Sequence, residues 1–103
     1  MPATPQDEFD LIARLTAHLP ATGDVQVGIG DDAAVVRWPP DHSLVATCDA
    51  QVEGRHFLPA LAAPEDLGAR ALAVNLSDLA AMGAEPRFAL VSLFVGPTTK
   101  TWR

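Results

Sequence analysis

The sequence predicts an α+β fold, in which helices and strands form separate layers of one small domain. Its 103 residues are enough to bury a core, and 49% of them are hydrophobic while only 19% are charged. Two segments repeat apolar residues at helical spacing, and four shorter apolar runs have the length of strands. Two helices with three or four strands form an α+β layer, which we expect to span residues 1–103.

A first helix is predicted over residues 5–19. Thr4 is suited to cap its N-terminus, Pro5 to occupy the first helical position, and Asp7 to lie in the first turn. The helix ends before Pro20. Apolar side chains recur at roughly helical spacing along one face, namely Phe9, Ile12, Leu15 and Leu19.

Four segments have the pattern of strands. Residues 25–29 alternate valine or isoleucine with glutamine or glycine, which is typical of a half-buried strand. Residues 33–38 and 43–48 are predicted as the second and third strands, with a proline-rich turn between them. Residues 88–95 are continuously apolar between two prolines, which predicts a central strand.

A second, longer helix is predicted over residues 64–82. Pro64 suits its first turn, and Gly83 is well placed to end it. Between residues 67 and 82 the only charged side chains are those of Arg70 and Asp78. A helix that is apolar on nearly all sides is normally buried, so we expect this one to lie in the core.

Charge and composition exclude several classes of partner. The net charge of −6 and the lack of a basic run argue against nucleic acid and against an anionic membrane surface. No apolar segment approaches the length of a membrane span, and the N-terminus lacks an export signal pattern. Cys48 is the only cysteine, which excludes an internal disulfide and fits a reducing compartment. These features predict a cytoplasmic protein.

Three acidic positions are the strongest functional signal. Asp31 follows two glycines, Asp49 ends a predicted strand, and Asp78 lies three residues after Asn75 on one face of the second helix. A carboxylate that enters a core is costly unless it is paired or bound to a metal ion. Oxygen ligands of this kind suit Mg²⁺, usually with phosphate, so the pattern predicts phosphoryl chemistry and a cleft where the three acids meet.

Each of these positions also has an ordinary structural explanation. Asp78 would cap a loop or pair with Arg70 or Arg87, and Asp31 would belong to an acidic turn. Asp49 would be part of a turn at the end of a strand, where aspartate is common. A lone histidine such as His56 is more often a hydrogen-bonded structural residue than a catalytic one, although Arg55 beside it favours a loop that contacts an anion. The residues alone leave these alternatives open.

Three segments together resemble the thiamine-monophosphate kinase family, in the superfamily typified by aminoimidazole ribonucleotide synthetase. They are GIGDDAAVV at residues 28–36, TCDAQVEGRHF at 47–57 and ALAVNLSDLAAMGAEP at 71–86. The resemblance extends over residues 8–95, and its third segment is the most specific. It implies the N-terminal domain of that fold, a small mixed sheet packed by two helices. It also implies a homodimer in which the sheets of two subunits pair into a barrel.

The resemblance implies transfer of the γ-phosphoryl group of ATP, a co-substrate, to thiamine monophosphate, which gives thiamine diphosphate. Mg²⁺ is the implied cofactor. The residues implied to bind it are Asp31, Thr47, Cys48, Asp49 and Asp78, of which Asp31, Thr47, Asp49 and Asp78 also serve the nucleotide. His56 is implied to contact the thiamine phosphate substrate. No residue is assigned a catalytic role, because such a transfer depends on positioning and charge neutralisation.

The sequence departs from the family pattern at three positions. Cys48 replaces a threonine, and a thiol is a poor ligand for Mg²⁺, so ligation there would use the backbone carbonyl. Gln51 and Arg55 replace residues that are usually apolar. Family members are longer and carry a later Gly-Gly-Asp motif, so we expect this chain to be a truncated N-terminal ATP- and Mg²⁺-binding domain that is inactive alone.

Two rival interpretations remain. One is another member of the superfamily, such as a selenophosphate synthetase, a hydrogenase maturation factor or a formylglycinamidine ribonucleotide synthetase. The other is a module that dimerises or binds nucleotide without turnover. The NLSD and EGRHF segments favour the kinase over its superfamily relatives.

Overall fold

A computed structural model describes residues 7–96. It contains helix α1 (Glu8–Thr16), strand β1 (Val25–Val27), strand β2 (Val35–Val36) and helix α2 (Pro64–Ala81). The chain divides into two compact units between Ser43 and Leu44, so that α1, β1 and β2 lie in the first unit and α2 in the second. Two helices and an antiparallel sheet agree with the predicted α+β class. The single domain stays a prediction.

Helix α1 is a shorter form of the first predicted helix. Asp7 caps it, because its side chain accepts a hydrogen bond of 2.8 Å from the Asp10 N–H. The predicted cap, Thr4, lies outside the described residues. The helix ends at Thr16, whose hydroxyl donates to the Ile12 carbonyl at 2.7 Å. A side-chain bond of this kind slightly destabilises a helix. The predicted helix was therefore too long, since residues 17–19 are not helical.

Strands β1 and β2 form a two-stranded antiparallel sheet. Val25 pairs with Val36 and Val27 pairs with Val35, with an irregularity in β1 between the two pairs. The described residues therefore contain an antiparallel ribbon rather than the predicted mixed sheet. Both strands are shorter than predicted, because the chain turns away through a loop in which Gly30 has a φ of 110°, which favours glycine.

The predicted strands at residues 43–48 and 88–95 are not formed in the described part of the chain. A strand needs a neighbouring strand to take up its backbone hydrogen bonds, and the sheet within residues 7–96 contains only β1 and β2. Leu90 is 92% exposed and Phe94 is 95% exposed. An apolar run gives strand propensity, but propensity without a partner does not produce a sheet.

Helix α2 confirms the second predicted helix almost to the residue. Pro64 begins it, and acidic residues occupy its first turn, where they face the positive end of the helix dipole. The predicted burial was wrong, since none of its residues is buried and residues 7–96 contain no buried core. Neither helix in the described range is long and apolar enough to cross a membrane.

Gly83 ends α2 as predicted. Its φ of 67° lies in the left-handed region, and its N–H donates to the Ala80 carbonyl at 3.0 Å. The next N–H, from Ala84, donates to the Leu79 carbonyl at 2.9 Å. These two bonds are the Schellman pattern, which satisfies carbonyl groups that the helix end would otherwise leave free.

The same substitution should have opposite effects at Gly68, inside α2, and at Gly83, just beyond its C-terminus. Gly83→Ala should destabilise the helix end by about 1 kcal/mol, because alanine disfavours a left-handed backbone. Gly68→Ala should stabilise the helix by about 1 kcal/mol, because alanine has the higher helix propensity. An added Cβ at Gly68 meets nothing within 4 Å.

The measurement is amide hydrogen exchange of α2 in the full-length protein. We expect exchange in the last turn of Gly83→Ala to be about fivefold faster, and exchange around Gly68→Ala to be slower by a similar factor. Equal changes in the two variants would show that the backbone conformation of Gly83 does not limit the stability of the helix end.

Candidate functional site

A side-chain contact joins two of the predicted site residues in the second unit. The Thr47 hydroxyl donates to Asp78 Oδ2 over 3.3 Å, although the two residues are 31 positions apart. Thr47 is half-buried and Asp78 is exposed. The segment that carries Thr47 is therefore tied to α2 through the carboxylate that the sequence marks most strongly.

Residues 51–57 form a compact loop around His56. The Val52 N–H donates to His56 Nδ1 at 2.9 Å, and the Val52 carbonyl accepts from the His56 N–H at 2.8 Å. Gly54, with a φ of 78°, makes the tight turn and donates its N–H to the Phe57 carbonyl at 2.8 Å. These bonds fix both the backbone and the ring of His56.

Arg70 fastens this loop to α2. Its Nε and Nη2 donate to Gln51 Oε1 at 2.9 and 2.7 Å, and its Nη2 also donates to the His56 carbonyl at 2.6 Å. The sequence interpretation considered Arg70 only as a partner for Asp78 and treated Gln51 only as a departure from the family. The sequence signal that could have indicated this attachment is that Arg70 is the only cationic residue between residues 67 and 82.

Asn75 occupies the same region of α2. Its side-chain N–H donates to the Ala71 carbonyl at 2.8 Å, so the amide orientation follows from this bond. Its Oδ1 is buried and has no hydrogen-bond partner within residues 7–96. This acceptor lies three residues from Asp78, on the helix face that the sequence analysis selected.

Within residues 7–96, Asp49 and Asp31 have only local hydrogen bonds. Asp49 Oδ1 accepts from the Ala50 N–H at 2.9 Å, and Asp31 Oδ1 accepts from the Asp32 N–H at 2.8 Å. Both side chains are exposed, as is Asp78, so the expected desolvation of these carboxylates was wrong for this chain. Asp31 belongs to the first unit and the other two to the second.

The acids do not form a metal-binding cluster within the described residues. No group of three or more His, Cys, Asp or Glu side chains in residues 7–96 is arranged to hold a metal ion. The convergence of Asp31, Asp49 and Asp78 therefore stays a prediction. The contact between the Thr47 hydroxyl and the Asp78 carboxylate offers two oxygen atoms, which are the donor type that Mg²⁺ prefers. Cys48 is exposed, and its thiol does not fit that donor set.

Comparison with known proteins identifies close sequence relatives. The chain is 46% identical to a thiamine-monophosphate kinase of Haemophilus influenzae over 96 residues, which are 92% of this chain and 29% of that protein. It is 45% identical to the thiamine-monophosphate kinase of Escherichia coli K12 over 96 residues, with the same shares. That of Bacillus subtilis 168 is 48% identical over 89 residues, which are 86% of this chain and 27% of that protein.

The similarity confirms the predicted resemblance to thiamine-monophosphate kinases, although the chain spans less than a third of the length of these relatives. No solved structure matches the chain. Residues 30–103 match the family described as AIR synthase related protein, N-terminal domain. The chain therefore belongs to the AIR synthase related family, in its N-terminal domain.

Proposed function

We propose that the chain is the N-terminal part of a thiamine-monophosphate kinase, which transfers the γ-phosphoryl group of ATP to thiamine monophosphate. The relatives that carry this name support the proposal. Among the contacts within the chain, the hydrogen bond between Thr47 and Asp78 carries the most weight, because it joins two separate motifs through oxygen ligands. Thr47 belongs to the second motif and Asp78 to the third, so the contact brings the two motifs together.

The residues that would hold Mg²⁺ and the phosphates of ATP are oxygen donors from the three motifs. They are Asp31, Thr47, Asp49 and Asp78, with Cys48 contributing its backbone carbonyl. Bound Mg²⁺ would neutralise charge on the phosphoryl group as it is transferred.

The chain itself would contribute orientation rather than covalent chemistry. The hydroxyl of Thr47 donates to one oxygen of Asp78 over 3.3 Å, which places the two oxygen donors side by side. Asp78 stands on a helix of 18 residues, so its backbone position is fixed relative to the rest of α2. Phosphoryl transfer needs donor and acceptor held in line, and a carboxylate on a rigid element serves that need.

His56 is the proposed contact to the phosphate of thiamine monophosphate. It is exposed and lies in the same unit as Thr47, Asp49 and Asp78.

We also propose a cytoplasmic homodimer formed through the sheet. The exposed apolar side chains of Leu90, Val91, Leu93 and Phe94 are consistent with a covering partner, since an exposed apolar patch tends to associate.

The test is turnover by the full-length protein supplied with ATP, Mg²⁺ and thiamine monophosphate. We expect thiamine diphosphate, measured by chromatography, with loss of product on addition of EDTA and recovery on addition of excess Mg²⁺. Thiamine without its phosphate is the control acceptor and should give no product. If the protein consumed ATP only with selenide or with a ribonucleotide amide, the proposed kinase function would be wrong and one of the superfamily rivals would be favoured.

A further inference from the structure

We propose that Arg70 is a positioning residue, which holds the loop of residues 51–57 on α2 so that His56 presents its Nε2–H to the phosphate of the acceptor substrate. The inference rests on the proposed function, which supplies the substrate of His56. Arg70 acts through the loop and does not itself contact the substrate.

The hydrogen bond to His56 assigns the tautomer of its ring. The Val52 N–H donates to Nδ1 at 2.9 Å, so Nδ1 is an acceptor and carries no proton. In the neutral ring the proton is then on Nε2, which becomes a hydrogen-bond donor. Nε2 has no hydrogen-bond partner within the described range, and the residue is exposed. A donor fixed at one edge of an exposed ring suits the oxygen atoms of a phosphate.

Arg70 fixes the loop at two points. Its guanidinium donates to Gln51, at the start of the loop, and to the carbonyl of His56 near its end. A guanidinium is planar and its donors have fixed directions, so these contacts restrict the distance and the angle between the two ends of the loop. Because the His56 carbonyl belongs to the same residue as the ring, holding it limits where Nε2 can lie.

Helix α2 connects this loop to the nucleotide side of the proposed site. Arg70 precedes Asp78 by eight residues, which corresponds to about 12 Å along a helix axis. One rigid element therefore carries the attachment of the His56 loop at Arg70 and the contact with Thr47 at Asp78. In this proposal α2 sets the spacing between Asp78 and His56, which contacts the acceptor phosphate.

The experiment compares Arg70→Met with Arg14→Met in the full-length protein. Arg70→Met should raise the KM for thiamine monophosphate about tenfold, which is typical for loss of a residue that orients a ligand. The KM for ATP should change less than about twofold, because the acids that serve the nucleotide are untouched. Arg14 pairs with Asp10 at 3.0 Å on α1, so Arg14→Met removes an arginine from a different element and should change neither KM.

A double substitution separates positioning from general damage. In a His56→Ala background, Arg70→Met should add little further increase in the KM for thiamine monophosphate, because the group that it positions is gone. An undiminished tenfold increase in that background would overturn the proposal, as would equal increases in both KM values or no increase in either.

If Arg70→Met does not fold, Gln51→Leu removes the other end of the same contact and should shift the same KM in the same direction. No shift in Gln51→Leu would then overturn the proposal.

The ring tautomer provides a readout that does not depend on turnover. Long-range ¹H–¹⁵N correlation spectra of the full-length protein should show the His56 proton on Nε2, and a mixture of tautomers in Arg70→Met or Gln51→Leu. If the full-length protein formed no thiamine diphosphate but the substitutions still produced the mixture of tautomers, the proposed function would be wrong and the positioning role of Arg70 would stand. A proton on Nδ1 in the unsubstituted protein would overturn the positioning role.

Discussion

Asp78→Asn in the full-length protein should reduce kcat for thiamine diphosphate formation by about 100- to 1,000-fold, which corresponds to several kcal/mol of transition-state stabilisation. The amide keeps the size of the side chain and can still accept the 3.3 Å hydrogen bond from Thr47. It lacks the negative charge that would hold Mg²⁺ against the phosphates. The Mg²⁺ concentration needed for half-maximal rate should therefore rise together with the loss of kcat.

The matched control is Asp66→Asn, the same substitution in the first turn of α2. Loss of that carboxylate removes a favourable interaction with the helix dipole, worth about 0.3–1 kcal/mol, and should leave kcat unchanged. If Asp78→Asn retained full activity at low Mg²⁺, Asp78 would be a structural partner of Thr47 and not a metal ligand.

The 103-residue chain alone should give no thiamine diphosphate above background, whereas the full-length protein should turn over. Phosphoryl transfer requires donor, acceptor and metal ions held in line, and loss of part of that arrangement costs orders of magnitude in rate. Residues 7–96 contain no buried core and no group of three or more metal-binding side chains. The chain also spans only 29% of the relative from Haemophilus influenzae.

The assay should use both proteins purified from a host that lacks thiamine-monophosphate kinase, at equal concentrations and with excess Mg²⁺ and ATP. Equilibrium dialysis with labelled ATP would measure any binding that the short chain retains. Sustained product formation by the 103-residue chain, retained after repeated purification, would show that residues elsewhere in the full-length protein are not needed for the chemistry.

Local signals predicted α2 well and α1 in part. The boundaries of α2 followed from Pro64, the acidic first turn and Gly83, all of which act through neighbouring backbone groups within a few residues. The strands were predicted less well, because hydrogen bonds between strands come from distant residues that propensity does not specify. Residues 88–95 have the composition of a central strand, yet the sheet within the described residues contains only β1 and β2.

For the site, the sequence by itself supplied the three motifs and the family resemblance, from which phosphoryl chemistry is proposed. It selected Asp31, Asp49 and Asp78 as candidates, because carboxylates among apolar residues are uncommon, while His56 became a candidate through the family resemblance. Only the tertiary structure decided which of these groups have partners: Thr47 meets Asp78, and Arg70 meets both Gln51 and the His56 carbonyl. The physical reason is that such contacts join residues 14 to 31 positions apart, and their geometry depends on how the intervening chain folds.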